Sequence, residues 1–430
     1  MQSDVVTDLG LQDKSSGGPG LDGQFHTDAL GFSDSVRCDG STDVTRTGVP
    51  KDPYGAWLKS QPVADPAVAA RYNVTDLFEL KKARFAELPR VSMPGNRYAI
   101  EDTQPLNGTI YQDNWIGEQA IALLKRRPRD KPFFFEVSHQ APHPPMDVTA
   151  GMVAANGGIR SRIFPQPAEC VMPACFSNAS IQVGRQNYAA KIERLDYWLG
   201  RYLALLEQQR VSATTITCIA SDHGEMLFDR GCTAKSRPWS SASSVPLICS
   251  GPGIATDAVV HTAVSTVDLG PTFLDFAGVL GAAPEGMSRL SMKAVMAAPS
   301  EAAVARRTVY FGLNNFRGVV QTINETHTLK FFCCASTSRE PDSTTNGCPG
   351  STAADRRGFE TGANEYHLYN IAADRFESPA SDLRSRYPEV VKEMAALLPA
   401  PHHTPPAKGS SIPGQGYGYR WPGCVIQKVL

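Results

Sequence analysis

Residues 214–224 read TTITCIASDHG, and this stretch decides the fold class. Its first seven residues are β-branched or apolar on both faces, a pattern that predicts a buried strand of a parallel sheet. The strand ends on Asp222, His223 and Gly224, and the glycine permits a turn there. Ligands of open α/β sheets gather just beyond the carboxyl ends of the strands. A carboxylate and an imidazole at this position therefore predict a ligand site.

Strand and helix candidates alternate on both sides of this stretch. Apolar runs at 132–138 and 245–249 are typical of short buried strands, and helical periodicity marks 115–124 and 188–208. The alternation predicts an α/β fold with a mostly parallel central sheet flanked by helices. In the second helix, the apolar face is predicted to contain Ile192, Leu195, Leu199, Tyr202 and Leu206.

The composition and the predicted elements change along the chain, and these changes divide it into three parts. We predict an α/β domain over 1–295, a smaller C-terminal α+β subdomain over 296–400 and a Pro/Gly-rich tail over 401–430. The subdomain is predicted to contain strands at 308–312, 317–322 and 328–333 and a helix near 388–398.

Composition excludes several classes of function. The chain has 430 residues, of which 42% are hydrophobic, so it can bury a core and should fold. Its net charge is −1 and no long basic run is present, which argues against nucleic acid as a partner. No stretch approaches the roughly 20 apolar residues that cross a bilayer. The oligomeric state is left open.

Two pairs among the ten cysteines carry predictions. Cys170 and Cys175 lie in a polar, loop-like stretch, and we predict that they form a disulfide of an oxidising compartment. Cys218 and Cys249 lie in apolar runs, and we predict that they are buried thiols.

Other features bear on the compartment and on modification. Four Asn-x-Ser/Thr sequons, at Asn73, Asn107, Asn178 and Asn324, predict a glycoprotein. The first residues lack the basic start and apolar core of a secretory signal.

Two further residues can join the Asp222-His223 pair. His143 follows a predicted buried strand and lies between prolines, which stiffen its backbone. Lys235 lies in a polar loop a dozen residues after His223. Two strand ends with these side chains predict a site for an anion and a metal ion. The alternative is that Asp222 caps a turn and that both histidines are surface residues.

The chain resembles the sulfatases, which belong to the alkaline-phosphatase-like superfamily. Six segments are similar to sulfatase motifs and occur in the family's order: 111–116 (YQDNWI), 140–145 (QAPHPP), 188–196 (YAAKIERLD), 221–227 (SDHGEML), 264–272 (VSTVDLGPT) and 366–370 (YHLYN). The resemblance implies a sulfuric ester hydrolase, in which a metal ion assists hydrolysis of the sulfate ester of a small molecule or glycan.

The resemblance also implies roles for the candidate residues. Asp222 and His223 would be ligands of a divalent cation, and calcium is the usual ion in sulfatases. His143 would contact the bridging oxygen and assist the leaving group. Lys235 would bind a sulfuryl oxygen and supply the fixed positive charge that a sulfate transition state needs.

The chain departs from the family pattern at the nucleophile. Sulfatases carry Cys/Ser-x-Pro/Ala-x-Arg, whose first residue becomes formylglycine, and none of the cysteines here lies in that motif. The nearest imitation, at 232–237, has its arginine one position too late, and no Asp-Asp pair is present to complete the metal site. We therefore expect an N-terminally incomplete chain that is inactive alone. The full-length enzyme would be secreted or lie in an endomembrane or lysosome-like lumen.

Two alternatives remain open. The chain can be a phosphodiesterase or phosphonate monoester hydrolase of the same superfamily, which a comparison of phosphate diesters with sulfate monoesters would separate. It can also be a non-catalytic domain that binds sulfated ligands, or a degenerate one. Tight binding of a sulfated ligand without turnover, lost on Lys235→Ala, would favour the binding domain.

Overall fold

The computed structural model describes residues 33–36, 38, 49–50, 52–87, 97–101, 103, 108, 111–165, 176–235, 237–284, 287–299, 308–313, 316–334 and 365–398. They belong to two compact units, the first from 33–165 with 176–208 and the second from 209–398. The predicted Cys170–Cys175 disulfide, the sequon at Asn107 and the predicted tail lie outside the described residues. The predicted boundary near residue 295 falls within the second unit and stays a prediction.

The described part of the first unit is helical. Its helices are α1 (Pro53–Ser60), α2 (Pro66–Tyr72), α3 (Leu77–Glu87), α4 (Gln112–Arg126), α5 (Ala150–Ala154) and α6 (Asn178–Gln208). Aspartates start the first two: the carboxylates of Asp52 and Asp65 accept hydrogen bonds from the amides of Gly55 and Ala67, each at 2.8 Å. A proline follows each of these caps, where its fixed φ suits the first helical turn. The predicted helices at 115–124 and 188–208 are confirmed as α4 and α6.

Helices α4 and α6 approach closely at one glycine. A Cβ atom at Gly117 would lie 2.1 Å from the ring of Trp198, so no larger residue fits there. The Trp198 side chain is 1% exposed, and its indole Nε1–H donates to Asn114 Oδ1 at 2.9 Å. Trp198 thereby fixes the contact between the two helices through both packing and a buried hydrogen bond.

The buried face of α6 differs from the predicted one. Ile192 is 46% exposed, whereas Asn187 and Lys191 are buried. The reason is hydrogen bonding: these two polar side chains donate to backbone carbonyls of neighbouring loops. A periodicity of apolar residues cannot detect a helix face that is buried through polar contacts.

The segment 132–138 is also different from the prediction. It runs without helix or strand assignment, and Phe134 is 61% exposed. No partner strand lies beside it among the described residues, so a buried strand is not formed there.

The second unit begins with a pair of strands, β1 (Thr217–Ala220) and β2 (Leu247–Ser250). They pair antiparallel, so the predicted parallel arrangement is wrong for these strands. The Gly224 amide donates to the Ala242 carbonyl at 2.9 Å, which turns the chain back at the end of β1 and brings β2 in from that same end. A parallel pairing would need a crossover to the opposite end.

Cys218 and Cys249 face each other across this pair and form a disulfide. The prediction of two buried thiols is therefore wrong. Both residues lie in apolar runs, as predicted, but pairing of the two strands brings their Cα atoms to 4.1 Å.

We expect the double substitution of Cys218 and Cys249 by serine to lower the free energy of unfolding by about 3.5 kcal/mol. The disulfide joins residues 31 positions apart and restricts the unfolded chain accordingly. Denaturant unfolding with and without reductant measures the effect. Reductant should destabilise the parent more than the double variant, and equal effects on both would contradict a formed disulfide.

A four-stranded antiparallel sheet follows in the order β3-β4-β5-β6. Its strands are β3 (Thr308–Leu313), β4 (Phe316–Asn324), β5 (His327–Cys334) and β6 (Glu365–Asn370), with helices α7 (Ser240–Ser243), α8 (Leu269–Phe276), α9 (Lys293–Ala297) and α10 (Pro388–Ala396) elsewhere in the unit. Helix α10 packs Val391 and Met394 against Val319 and Phe331. The predicted strands and terminal helix of this region are confirmed. No helix of the described ranges has the length and hydropathy to cross a membrane.

Candidate functional site

The turn after β1 is held by its own hydrogen bonds. The His223 amide donates to Asp222 Oδ1 at 3.0 Å, and the Ser221 hydroxyl donates to the His223 carbonyl at 2.8 Å. A Cβ atom at Gly224 would lie 2.1 Å from the carbonyl oxygen of Ser241, so glycine is required where the turn meets α7. The side chains of Asp222 and His223 are 66% and 30% exposed, which leaves them accessible to a ligand.

His223 has one defined tautomer in this arrangement. Its Nδ1 lies 2.8 Å from the Gly224 carbonyl, which can only accept, so Nδ1 carries the proton. Lys235 Nζ, whose ammonium group can only donate, lies 2.6 Å from Nε2, so Nε2 presents a lone pair to it. The structure thus brings together three of the predicted site residues, Asp222, His223 and Lys235, at the end of β1.

Glu225 connects the turn to the loop that carries Lys235. Its Oε1 accepts from the amides of Leu227, at 3.2 Å, and Ala234. The Met226 amide donates to the Ala234 carbonyl at 2.9 Å. Sequence reasoning missed this role, although Glu225 directly follows the Asp-His-Gly motif.

Asp222 and His223 have donor atoms suited to a divalent cation. Asp222 Oδ2 and His223 Nε2 are 3.5 Å apart, a separation that lets both contact one ion at ordinary metal–ligand distances of about 2.0–2.4 Å. The bond from His223 Nδ1–H to a backbone carbonyl is the kind of contact that orients metal-bound histidines. Within the described residues, no group of three or more His, Cys, Asp or Glu side chains completes a metal site. The pair fits part of a ligand set.

His143 belongs to the first unit and is exposed, whereas Ala141 and Met146 of the same turn, at 139–146, are buried. Its amide donates to the Gln140 carbonyl at 3.0 Å, and its Nδ1 lies 2.6 Å from the Pro144 carbonyl. These local bonds fix the backbone and the ring of His143 within the turn.

Two buried charged residues hold this turn from the neighbouring helices. Asp113 of α4 accepts from the amides of Gln140 and Ala141 at 2.9 and 3.0 Å. Lys191 of α6 donates to the carbonyls of His143, at 2.6 Å, and Pro145, at 3.0 Å. Sequence reasoning missed both roles, although both residues lie in the quoted motifs at 111–116 and 188–196.

Their environment shifts both pKa values downward. Burial lowers the pKa of Lys191 to about 8, although Asp113 and Asp147 oppose the shift. Burial alone would raise the pKa of Asp113, but His139 and the Ala141 amide hold it below its ordinary value. Asp113 and Lys191, which hold the His143 turn, therefore differ. The charged form of Asp113 is stabilised by its neighbours, whereas the charged form of Lys191 is destabilised by burial.

We expect Lys191→Met to make the slope of unfolding free energy against pH less positive by about 1 kcal/mol per pH unit between pH 8 and 9. The pKa of Lys191 is about 8 when folded and 10.5 when unfolded, so the unfolded chain binds more protons across this range. The contribution of Lys191 to the free energy of unfolding therefore rises with pH from about pH 8. Above pH 9 the opposite contribution of the Cys38 thiol, whose pKa is raised by burial, would obscure the effect.

Denaturant unfolding at several pH values measures the slope. Lys125→Met, at an exposed position of α4, is the matched control and should keep the parent slope. Equal slopes for Lys191→Met and the parent would contradict the lowered pKa of Lys191.

Comparison with known proteins identifies the family. The sulfatase family model matches residues 55–279, a little over half of the chain, and includes His143, Asp222, His223 and Lys235. The chain belongs to the sulfatase family. It is similar to an arylsulfatase of Clostridium perfringens, with 25% identity over 237 residues, which cover 50% of this chain and 48% of that protein. This sulfatase chain thus spans about half the length, or less, of the curated relatives it matches.

Solved structures support the fold of this sulfatase-family chain. BT4656 in complex with its substrate D-glucosamine-2-N,6-O-disulfate matches with a TM-score of 0.51 and 19% identity, covering 67% of this chain and 68% of that one. The phosphonate monoester hydrolase of Agrobacterium radiobacter matches with a TM-score of 0.54 and 16% identity, covering 80% and 68%. The predicted alkaline-phosphatase-like α/β fold is confirmed at the level of fold class.

Proposed function

We propose that this chain carries part of the site of a sulfuric ester hydrolase. The observation that supports this most is the meeting of a carboxylate, an imidazole and an ammonium group at the end of β1, with Lys235 Nζ 2.6 Å from His223 Nε2. In this proposal Lys235 binds a sulfuryl oxygen, and His143 contacts the bridging oxygen and assists the leaving group. Asp222 and His223 hold a divalent cation.

A bound cation would supply positive charge that polarises the sulfate group. The two donors differ in preference, because carboxylate oxygens suit calcium and manganese whereas an imidazole nitrogen suits transition metals better. Calcium is the predicted ion, and manganese is the informative comparison.

The 430-residue chain by itself is proposed to be inactive. It contains no cysteine in the motif that yields formylglycine and no Asp-Asp pair, so both the nucleophile and part of the metal ligand set are missing from this sequence. Loss of a nucleophile removes the covalent step, so we expect no turnover.

The substrate is proposed to be a sulfated glycan or small molecule. Support comes from family membership and from Lys235, whose ammonium group suits an exposed oxyanion. The compartment is proposed to be an oxidising one, outside the cell or in an endomembrane or lysosome-like lumen. The Cys218–Cys249 disulfide supports that location, and Asn73, Asn178 and Asn324 are exposed for glycosylation.

The purified chain tests the proposal in two measurements. Calorimetry should detect binding of Ca²⁺, Mn²⁺ and inorganic sulfate to the parent chain. Asp222→Asn should abolish binding of the cations, and Lys235→Ala should abolish binding of sulfate. Release of sulfate from an aryl sulfate, with either cation present, should be absent. Metal-dependent turnover would overturn the proposed inactivity, and failure of every ion to bind would overturn the site.

A second candidate function is phosphonate monoester or phosphodiester hydrolysis. The likeness of fold to a phosphonate monoester hydrolase favours testing it. The same turnover assay with a phosphonate monoester and a phosphate diester distinguishes it from sulfate hydrolysis. Binding of sulfated ligands without turnover of any ester would instead favour a non-catalytic binding domain.

A further inference from the structure

An ion pair is buried in the second unit, next to helix α7. Lys330 Nζ of β5 lies 2.7 Å from Glu377 Oε1, and the two side chains are 2% and 1% exposed. Burial lowers the pKa of Lys330, and the Glu377 carboxylate opposes that shift. The aromatic ring of Phe311 lies 5.0 Å from the Lys330 ammonium and helps to exclude water. A buried ion pair stabilises a protein little more than apolar residues of similar size would. The contacts that this pair makes indicate another role.

The remaining bonds of this pair go to α7. Glu377 Oε2 accepts from the Ser240 amide at 2.6 Å, which is the start of the helix. Lys330 Nζ donates to the hydroxyls of Ser240 and Ser243, each at 3.1 Å. The pair therefore contacts both the first and the last residue of this single helical turn.

Two residues that follow the Asp-His-Gly motif strengthen the attachment. The Arg230 guanidinium lies 3.6 Å from the centre of the Trp239 ring and also donates to the Glu377 carbonyl. Asp229 Oδ2 accepts from the Ser241 hydroxyl at 2.6 Å. Lys330 of the sheet and Asp229 and Arg230 of the loop thus all contact the segment 239–243.

Helix α7 in turn touches the Asp-His-Gly turn through its backbone. The Gly224 amide donates to the Ala242 carbonyl at 2.9 Å. The approach leaves no free space, because a Cβ atom on Gly224 would lie 2.1 Å from the Ser241 carbonyl oxygen. A displacement of α7 must therefore be followed by Gly224 and by the side chains of Asp222 and His223 beside it.

We infer that Lys330 and Glu377 are positioning residues that hold the Asp222-His223-Gly224 turn in place through α7. The C-terminal sheet thereby fixes the geometry of a turn that lies far earlier in the chain. The consequence for ligand binding rests on the proposed function, whereas the effect on the turn does not.

Hydrogen exchange of the Gly224 amide in the full chain tests the inference. The variant is Lys330→Met combined with Glu377→Gln, which removes both charges and leaves neither unpaired. We expect Gly224 to exchange at least tenfold faster, with amides of β3, β4 and β5 within about twofold of the parent. Thr322→Val is the matched control, because Thr322 is buried in the same sheet but bonds to residues 261 and 263.

A second variant guards against loss of folding. Ser243→Ala removes one acceptor of Lys330 and leaves the ion pair intact, and we expect about threefold faster exchange at Gly224. Unchanged exchange at Gly224 in both variants would overturn the inference, as would an equal acceleration of all amides.

Manganese binding separates this inference from the proposed function. If the parent binds Mn²⁺, the double variant should bind it about tenfold more weakly, and equal affinity would overturn the positioning role. If the parent binds no cation while Gly224 exchange accelerates as expected, the inference stands and the proposed metal site fails.

Discussion

Lys330→Met alone should lower the free energy of unfolding by about 3–5 kcal/mol, because it leaves the Glu377 carboxylate buried without a counterion. The Glu377 side chain is 1% exposed, so water cannot replace the lost ammonium group. Denaturant unfolding at neutral pH measures the loss. The double substitution Lys330→Met with Glu377→Gln should recover most of it, to within about 1 kcal/mol of the parent, because neither charge remains.

Lys293→Met is the matched control for this prediction. Lys293 pairs with Asp275 at 3.4 Å, but its side chain is 42% exposed, and exposed pairs contribute less than about 1 kcal/mol. A loss below 1 kcal/mol for Lys330→Met would mean that the pair is hydrated in solution.

This buried pair also marks the limit of what the sequence predicts. The strand at 328–333 could be predicted from its β-branched and apolar residues, and its presence is confirmed as part of β5. A lysine within such a strand is ordinarily assigned to the solvent face, because lysine is rarely buried. Lys330 can be buried because Glu377 and the hydroxyls of Ser240 and Ser243 contact its ammonium group. All three partners are distant in sequence, so these contacts are a property of the tertiary structure.

Strand direction is a second feature that local patterns do not contain. The apolar runs at 214–220 and 245–249 predict strands, and both exist with shifted bounds. Their antiparallel pairing follows from the return of the chain at the end of β1, where the Gly224 amide donates to the Ala242 carbonyl. No periodicity encodes that return. The same pairing brings Cys218 to Cys249, so the error in strand direction and the error in thiol state have one cause.

The residues at the end of β1 were easier to predict from the sequence than the strand direction. Asp222 and His223 are adjacent, and Lys235 lies in the loop that follows, so a short return of the chain brings the three together. The residues that hold the His143 turn and helix α7 were missed, because Asp113, Lys191 and Glu377 act on backbone groups distant in sequence. Motifs name the groups that would meet the ligand, whereas the supporting bonds become visible only in three dimensions.

Lys235→Ala should raise the affinity for Mn²⁺ about tenfold and abolish the binding of inorganic sulfate. Lys235 Nζ now occupies the lone pair of His223 Nε2 at 2.6 Å, which is the atom that a cation would use. Removing the ammonium group frees that lone pair and removes a like charge; each pair of unit charges 4 Å apart in water costs about 1 kcal/mol. The same change deletes the cation proposed to bind the anion. Calorimetry of both ions on the parent and the variant measures the two effects.

Lys235→Arg is the matched control, because it keeps the positive charge on a longer, planar group. It should retain sulfate binding and should not gain the full increase in Mn²⁺ affinity. Opposite changes for the two ions in Lys235→Ala would show that one lysine serves as anion ligand and as competitor for the histidine. A fall in Mn²⁺ affinity in Lys235→Ala would contradict that competition, and unchanged sulfate binding would remove Lys235 from the anion site.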